Sequence, residues 1–194
     1  MKRQYILSTM KQHPVMETER LMLRFLLPND WKDLYEYARI PEVSLYQLWE
    51  PHRTAAYTRR YLRDLQKLYE HGEYFEWGVV EKKTGKLIGT CGFSQFDFLT
   101  NSGELGYSFS PSIWGQGYAR EATQAVLKYG FHTLNLNKIT ALCVRENLAS
   151  IHVLEHLHMA YKGEASPMII KGQKRRICRY EITSDEYLRF TEQS

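Results

Sequence analysis

The sequence predicts an α/β (α+β) domain. Its centre is a mixed, mostly antiparallel sheet of about seven strands with helices on both faces. Three observations carry that expectation. Short runs with hydrophobic period two recur along the chain. In the first half, three such runs follow one another through turn-forming residues, as in an antiparallel meander. In the second half, runs of helical period separate the strands, and a hairpin closes the pattern.

Each element has its own signal. Residues 18–27 (TERLMLRFLL) set Leu21, Leu23 and Phe25 against Met22, Arg24 and Leu26, the alternation of a strand. Pro28 and Asn29 break it, and Asp30 caps a helix over 31–39 (WKDLYEYAR). A second helix starts near Thr54 and spans 54–71, with Tyr57, Tyr61, Leu62, Leu65, Leu68 and Tyr69 at helical spacing. Residues 73–81 (EYFEWGVVE) form the next strand, 83–86 (KTGK) turn, and 87–96 return. A turn at 101–103 (NSG) leads into a fourth strand, ELGYSFS. A loop over 111–117 precedes a helix over 117–134, in which Ala122, Ala125, Val126 and Tyr129 share a face. A strand over 138–144 and a helix over 147–157 follow. A last hairpin pairs 159–169 with 173–183 around the KGQ turn at 171–173.

The 194 residues suit one domain, taken as 1–194, with 1–16 as a flexible or peripheral N-terminal extension. The net charge of +4 is compatible with an anionic ligand but too small to imply nucleic-acid binding. Cys91, Cys143 and Cys178 are scattered and form no C-x-x-C pair, which excludes a disulfide framework and a zinc ribbon. A reducing cytoplasm is the simplest setting. The first apolar run, Tyr5, Ile6 and Leu7, is far shorter than the ~7–15 residues of a secretory signal. No stretch approaches the ~20 apolar residues that span a bilayer, so no membrane partner is expected.

The strongest local signal is GELGYSFSPSIWGQGYAREA, residues 103–122. A strand ends, a loop with Gly115 and Gly117 follows, and a helix begins. Glycine lets backbone approach a ligand closely, and unpaired N–H groups at a helix start attract phosphate. The alternative is a tight loop that needs glycine for its own turn. No Lys-Ser or Lys-Thr pair follows, which excludes a P-loop. Arg120 stands where a dinucleotide-binding fingerprint would need its third glycine.

A different spelling appears at His152-Val-Leu-Glu155-His156, the H-x-x-E-H spacing of one class of zinc peptidase. His152 and His156 share a helical face. A zinc site needs a third ligand and a cleft, and nothing downstream supplies one, so no metal is expected.

Four segments together resemble the GNAT N-acetyltransferases, and within them the RimJ/RimL-like (ribosomal-protein N-acetyltransferase) branch. They are ETERLMLRFLLPND, GKLIGTCGF, GELGYSFSPSIWGQGYAREA and NLASIHVLEHLHMAYKGE, in order across residues 17–183. The family's [Q/R]-x-x-G-x-[G/A] loop maps to Trp114, Gly115, Gln116, Gly117, Tyr118 and Ala119. Trp114 departs from the usual first residue. His158 and Met159 stand where the family has Gly-Phe.

The resemblance implies a GNAT fold splayed at its fourth and fifth strands, with acetyl-CoA wedged into the opening. The pantetheine arm would pair with the edge of Tyr107, Ser108 and Phe109. The pyrophosphate would lie on residues 115–120, with Arg120 adding a charge-assisted bond. Asn147 matches the family's pantetheine-contacting asparagine, and equally suits a helix cap. Glu104 matches the glutamate of the family's E-[IL]-G-Y run and is the expected proton acceptor, directly or through water. A salt-bridged strand-end carboxylate is its other reading. Ser150 matches the serine proposed to protonate the leaving thiolate, or is a small residue under the pantetheine. Leu154 stands where many relatives carry a tyrosine.

The implied activity is acetyl transfer from acetyl-CoA to a primary amine. The acceptor is most readily the N-terminal amine of a protein such as a ribosomal protein, because an α-amine near pKa ~7.7–8.0 needs less help from a base than lysine. A polyamine or aminoglycoside, or a CoA-binding module without catalysis, are the alternatives. Residues 171–176 (KGQKRR) put basic charge at a hairpin tip, where a solvated turn or a contact to ribosomal RNA both fit. Many relatives pair as homodimers.

Overall fold

The computed structural model describes residues 2–192. Its first half contains α1 (Lys2–Gln12), β1 (Met16–Glu17), β2 (Leu21–Arg24), α2 (Trp31–Ala38), α3 (Pro41–Ser44), α4 (Ala55–His71), β3 (Phe75–Glu81) and β4 (Leu87–Asp97). The second half contains β5 (Ser102–Phe109), α5 (Tyr118–Lys128), β6 (Lys138–Val144), α6 (Leu148–His156), β7 (Ala160–Ile170), β8 (Gln173–Thr183) and α7 (Ser184–Thr191). The strands build one eight-stranded sheet in the order β1-β2-β3-β4-β5-β6-β8-β7.

The mixed, mostly antiparallel sheet with helices on both faces is as expected. The strand beyond the expected seven is β1, a two-residue piece pairing Met16 with Leu23 and Glu17 with Met22. Alternation in β3 serves both faces at once. Trp77 and Val79 enter the core beneath α1 and α5, while Val80 joins Leu34, Tyr37, Leu62 and Leu65 beneath α2 and α4. A strand covered on both sides loses the clean polar alternation of a half-exposed one, which is why GVV reads as a continuous apolar run.

Local chemistry sets the helix ends. Thr54 accepts a hydrogen bond from Tyr57 N, and α4 stops at Gly72, which takes the left-handed φ of 66° that side chains resist. Three helices lie outside the sequence expectation, and α3 is the shortest, a single turn that Pro41 opens. Residues 2–12 are no flexible extension: they form α1, and Ile6 and Met10 are buried at 1% and 3% exposure. Ile6, Thr9 and Met10 are the buried residues of this helix and Leu7 packs against Gly72, a set too small to carry clear periodicity. The last is α7, which follows the last hairpin and starts at a capping box of Thr183 and Glu186.

The central feature is the one parallel pairing in the described sheet. Ser102, Gly103 and Glu104 pair with Lys138, Ile139 and Thr140, and there the ladder between β5 and β6 stops. Beyond it β5 stays paired with β4 through Phe109, and β6 with β8 through Val144. The two strands therefore part, leaving a V whose apex lies at Glu104 and Thr140. The splay at the fourth and fifth expected strands is this opening.

Candidate active site

The edge of β5 that faces the V is open from Leu105 onward. Its Tyr107 carbonyl accepts a 3.2 Å hydrogen bond from the side-chain amide of Gln47. Successive β5 residues point to opposite faces of the sheet. Tyr107 turns toward α6, where its hydroxyl lies 2.8 Å from Ser150 Oγ. Burial pushes the Tyr107 phenol well up from its usual value, so it stays protonated near neutral pH. Ser108 turns the other way, level with Thr90 of β4, and its Oγ is buried without a hydrogen-bond partner.

Below β5 the chain enters the glycine loop. Gly115 and Gly117 take φ of 73° and 79°, the left-handed region that glycine adopts without strain. A Cβ at Gly115 would meet nothing within 4 Å, so the glycine is required by the turn and leaves open space above it. Gly117 caps α5, and no side chain bonds the first N–H groups of that helix. Those groups, on Tyr118, Ala119 and Arg120, are free for an anion. Arg120 is beside them and lines the same cleft. Trp114 does not occupy the cradle: its indole N–H donates back to the Phe109 carbonyl at 3.0 Å.

A brace that the sequence does not disclose fixes this loop. Arg20 Nε donates to Glu121 Oε2 at 2.6 Å, and Arg20 also donates to the Gln116 carbonyl at 3.0 Å. Thr18 Oγ1 and the Arg20 backbone N–H donate to Glu121 Oε1 at 2.5 and 2.9 Å. The Arg20 guanidinium stacks over the Tyr118 ring at 4.2 Å, and the Tyr118 hydroxyl donates to Glu81. The Tyr118 side chain thus belongs to the brace and leaves only its backbone to the cradle.

Across the cleft, Asn147 caps α6 by accepting from Ser150 N at 3.2 Å. It lines both the cleft of about 740 Å³ over the glycine loop and a cavity of about 320 Å³ at the apex of the V. The second cavity holds Glu104 and Glu76, with Trp49 and Tyr46 among its walls. Glu104 Oε1 accepts from Ser94 Oγ at 2.8 Å, and Oε2 from Gln95 Nε2 at 3.2 Å. It is held by neutral donors, not by the salt bridge offered as its other reading. Glu76 is partly buried and accepts from the Tyr74 hydroxyl at 3.2 Å. Burial pushes its carboxyl up, and hydrogen bonds from Thr90 and Tyr74 oppose that shift. Sequence reasoning gives Glu76 no role, because nothing in EYFEWGVVE marks it apart from Glu73 or Glu81.

The basic hairpin tip is tied to the segment that walls this cavity. Lys171 Nζ reaches Ser44 Oγ and the Trp49 carbonyl, both at 3.0 Å, and Glu50 at 3.3 Å. Arg176 pairs with Glu164. Two of the tip's cations are therefore engaged within the protein. His152 and His156 lie on α6, and His156 Nδ1 sits 2.7 Å from the His152 carbonyl. Among the described residues no cluster of three His, Cys, Asp or Glu is placed to hold a metal. His158 takes a φ of 56° at the helix end, where the family's glycine would be unstrained, and its ring stacks on Phe190 at 4.3 Å. Met159 fills the core at 4% exposure.

Comparison with known proteins gives this geometry a class. Residues 20–160 match the family described as "Acetyltransferase (GNAT) domain". The uncharacterized N-acetyltransferase p20 of Bacillus licheniformis is 36% identical over 146 residues, covering 75% of this chain and 82% of that protein. Spermidine N(1)-acetyltransferase of Escherichia coli K12 is 28% identical, covering 86% and 87%. The solved ribosomal-protein-S5-alanine acetyltransferase from Vibrio fischeri superposes with a TM-score of 0.73 at 27% identity, covering 89% and 98%. The chain belongs to the GNAT acetyltransferase family. It is an acetyl-CoA-dependent N-acetyltransferase.

The cleft suits that donor. The β5 edge beyond Glu104 has no strand partner in the V, Ser108 Oγ lacks a hydrogen-bond partner, and the first N–H groups of α5 beside the glycine loop would suit a pyrophosphate. When bound, the donor supplies an acetyl thioester.

Proposed function

We propose that this N-acetyltransferase acts on a small, positively charged primary amine, of polyamine-like chemistry. The observation that carries this is the apex cavity: two carboxylates, Glu76 and Glu104, share about 320 Å³ with Trp49 and Tyr46. An ammonium group is held by carboxylates and by aromatic faces. Residues 46–49 line the cavity, and Lys171 ties that segment down through Ser44, Trp49 and Glu50, which suits a slender acceptor. The similarity to spermidine N(1)-acetyltransferase supports the same reading.

In this reading Tyr107, Ser108 and Phe109 pair with the pantetheine arm. Trp114, Gly115, Gln116, Gly117, Tyr118 and Ala119 form the phosphate loop, Arg120 adds charge, and Asn147 meets the arm from α6. Glu104 and Ser150 stand at the acceptor and thiolate ends. The Ser150 hydroxyl, backed by the Tyr107 phenol, is a proton source for the leaving sulfur. Three buried free cysteines fit a reducing cytoplasm.

A second reading has its own support. The E-L-G-Y and N-L-A-S segments resemble the RimJ/RimL-like branch, and the S5-alanine enzyme shares the fold at 27% identity. In that case a protein N-terminus enters the same cavity. One experiment covers both: thiol release from acetyl-CoA measured with spermidine, spermine, an aminoglycoside and alanine- or serine-initiated peptides. The expected result is turnover of a polyamine at lower KM than any peptide. Turnover of peptides alone would move the assignment to the second reading.

A further inference from the structure

We propose that Glu76, two strands away from the open edge, is the catalytic proton acceptor, and that Glu104 holds the amine beside it. This rests on the N-acetyltransferase reading above.

The sheet register makes the case. Glu76 pairs with Gly92, and Gly92 pairs with Gly106, so two residues without side chains lie in line between Glu76 and the edge of β5. Strands lie ~4.8 Å apart; a Cβ at Gly92 would strike the β3 backbone at 2.4 Å, and a side chain longer than alanine at Gly106 would crowd that line. Glu76 uses it: its Oε1 lies 3.6 Å from where a Gly106 Cβ would stand. The carboxylate therefore reaches past the apex of the V, beside the part of β5 where the thioester would lie. Glu104 sits at the apex itself, still paired with Thr140, and both its oxygens are taken by Ser94 and Gln95. Both carboxylates accept hydrogen bonds from neutral side chains, Glu76 from Tyr74 and Thr90, but Glu104 stands at the apex while Glu76 reaches beyond it beside Gly106. Burial also pushes the Glu76 carboxyl up, toward the basicity a proton acceptor needs.

The amine enters as an ammonium ion and gives one proton to Glu76. The neutral nitrogen then forms the carbon–nitrogen bond, and the carbon–sulfur bond breaks with its electron pair going to sulfur. The nitrogen's second proton is lost as the amide forms, and it balances the proton that sulfur takes up on becoming a thiol. Glu76 returns its own proton to water.

The test uses the full chain and Glu76→Gln, with Glu104→Gln in parallel. Calorimetric titration with acetyl-CoA checks the donor site, and kcat/KM against pH is measured with spermidine or whichever amine of the panel is turned over. For Glu76→Gln we expect kcat/KM to fall by about 10²-fold or more at neutral pH. The acidic limb of the profile should move up to the amine's own ionisation, so the deficit should shrink at high pH, where the amine is already neutral. Acetyl-CoA affinity should stay within about twofold, since Glu76 touches no part of the donor cradle. Glu104→Gln should raise KM more than it lowers kcat. The inference is overturned if Glu76→Gln keeps the wild-type profile, or if Glu104→Gln alone moves the acidic limb up to the amine's ionisation. Failure of the underlying reading looks different: the wild-type protein would release no thiol with any amine.

Discussion

At the scale of single residues, Tyr107 and Ser150 act as one unit. They share a 2.8 Å hydrogen bond between β5 and α6. Removing a general acid costs about 10²-fold or more in turnover. Ser150→Ala is therefore expected to lower kcat by about that factor. Tyr107→Phe added to Ser150→Ala should lower it little further, because the phenol works through the serine; steady-state kinetics of the two single variants and the double variant measure this. Glu76 carries a separate consequence for stability. Its carboxyl is raised by burial in the folded protein, so the folded state favours the protonated form. Relative to the protonated state, the stability it contributes is present below the unfolded pKa and is lost as pH rises through the folded one. At pH 7 the charged group is a cost that glutamine does not bear. Glu76→Gln should melt higher than wild type at pH 7 and lose that advantage toward pH 4, as thermal unfolding at the two pH values will show. Residue roles are partly legible in the sequence: Glu104, Asn147 and Ser150 lie inside recognisable motifs. Glu76 is not, because its significance comes from Gly92 and Gly106 on two other strands.

At the scale of elements, the glycine loop and the start of α5 work because something holds them still. Glu121 takes donors from Thr18 and Arg20, and Arg20 also bonds the Gln116 carbonyl. A partly exposed ion pair of this kind is worth about 1 kcal/mol. Arg20→Ala is therefore expected to weaken acetyl-CoA binding by about fivefold, by loosening the loop that cradles the phosphates; calorimetry against the wild type measures it. Gly117→Ala should do more, because alanine at φ 79° costs about 1–2 kcal/mol before any phosphate interaction is disturbed. The strand and helix centres from Leu21 to Thr183 are legible, since period and capping residues agree there. The brace is not, because Arg20 and Glu121 stand about a hundred residues apart and only the folded sheet joins them.

At the scale of the whole molecule, the sheet is covered on both faces, and α1 is part of that cover. Ile6 and Met10 pack into the core that also holds Trp77, Phe93 and Val126. Ile6→Ala should cost about 2–4 kcal/mol in denaturant unfolding, as for other fully buried aliphatic side chains. A peripheral extension would show almost no change. The fold class is readable because most of the chain obeys clear periods, while α1 hides its docking in a few inward residues. The V between β5 and β6 is the device on which function depends, and its use is tested most directly by calorimetric titration of the wild-type protein with acetyl-CoA, with ATP as the comparison. Saturable one-to-one binding of acetyl-CoA, absent for ATP, is the expected result. No saturable binding of acetyl-CoA would contradict the assignment of the cleft and every residue role built on it.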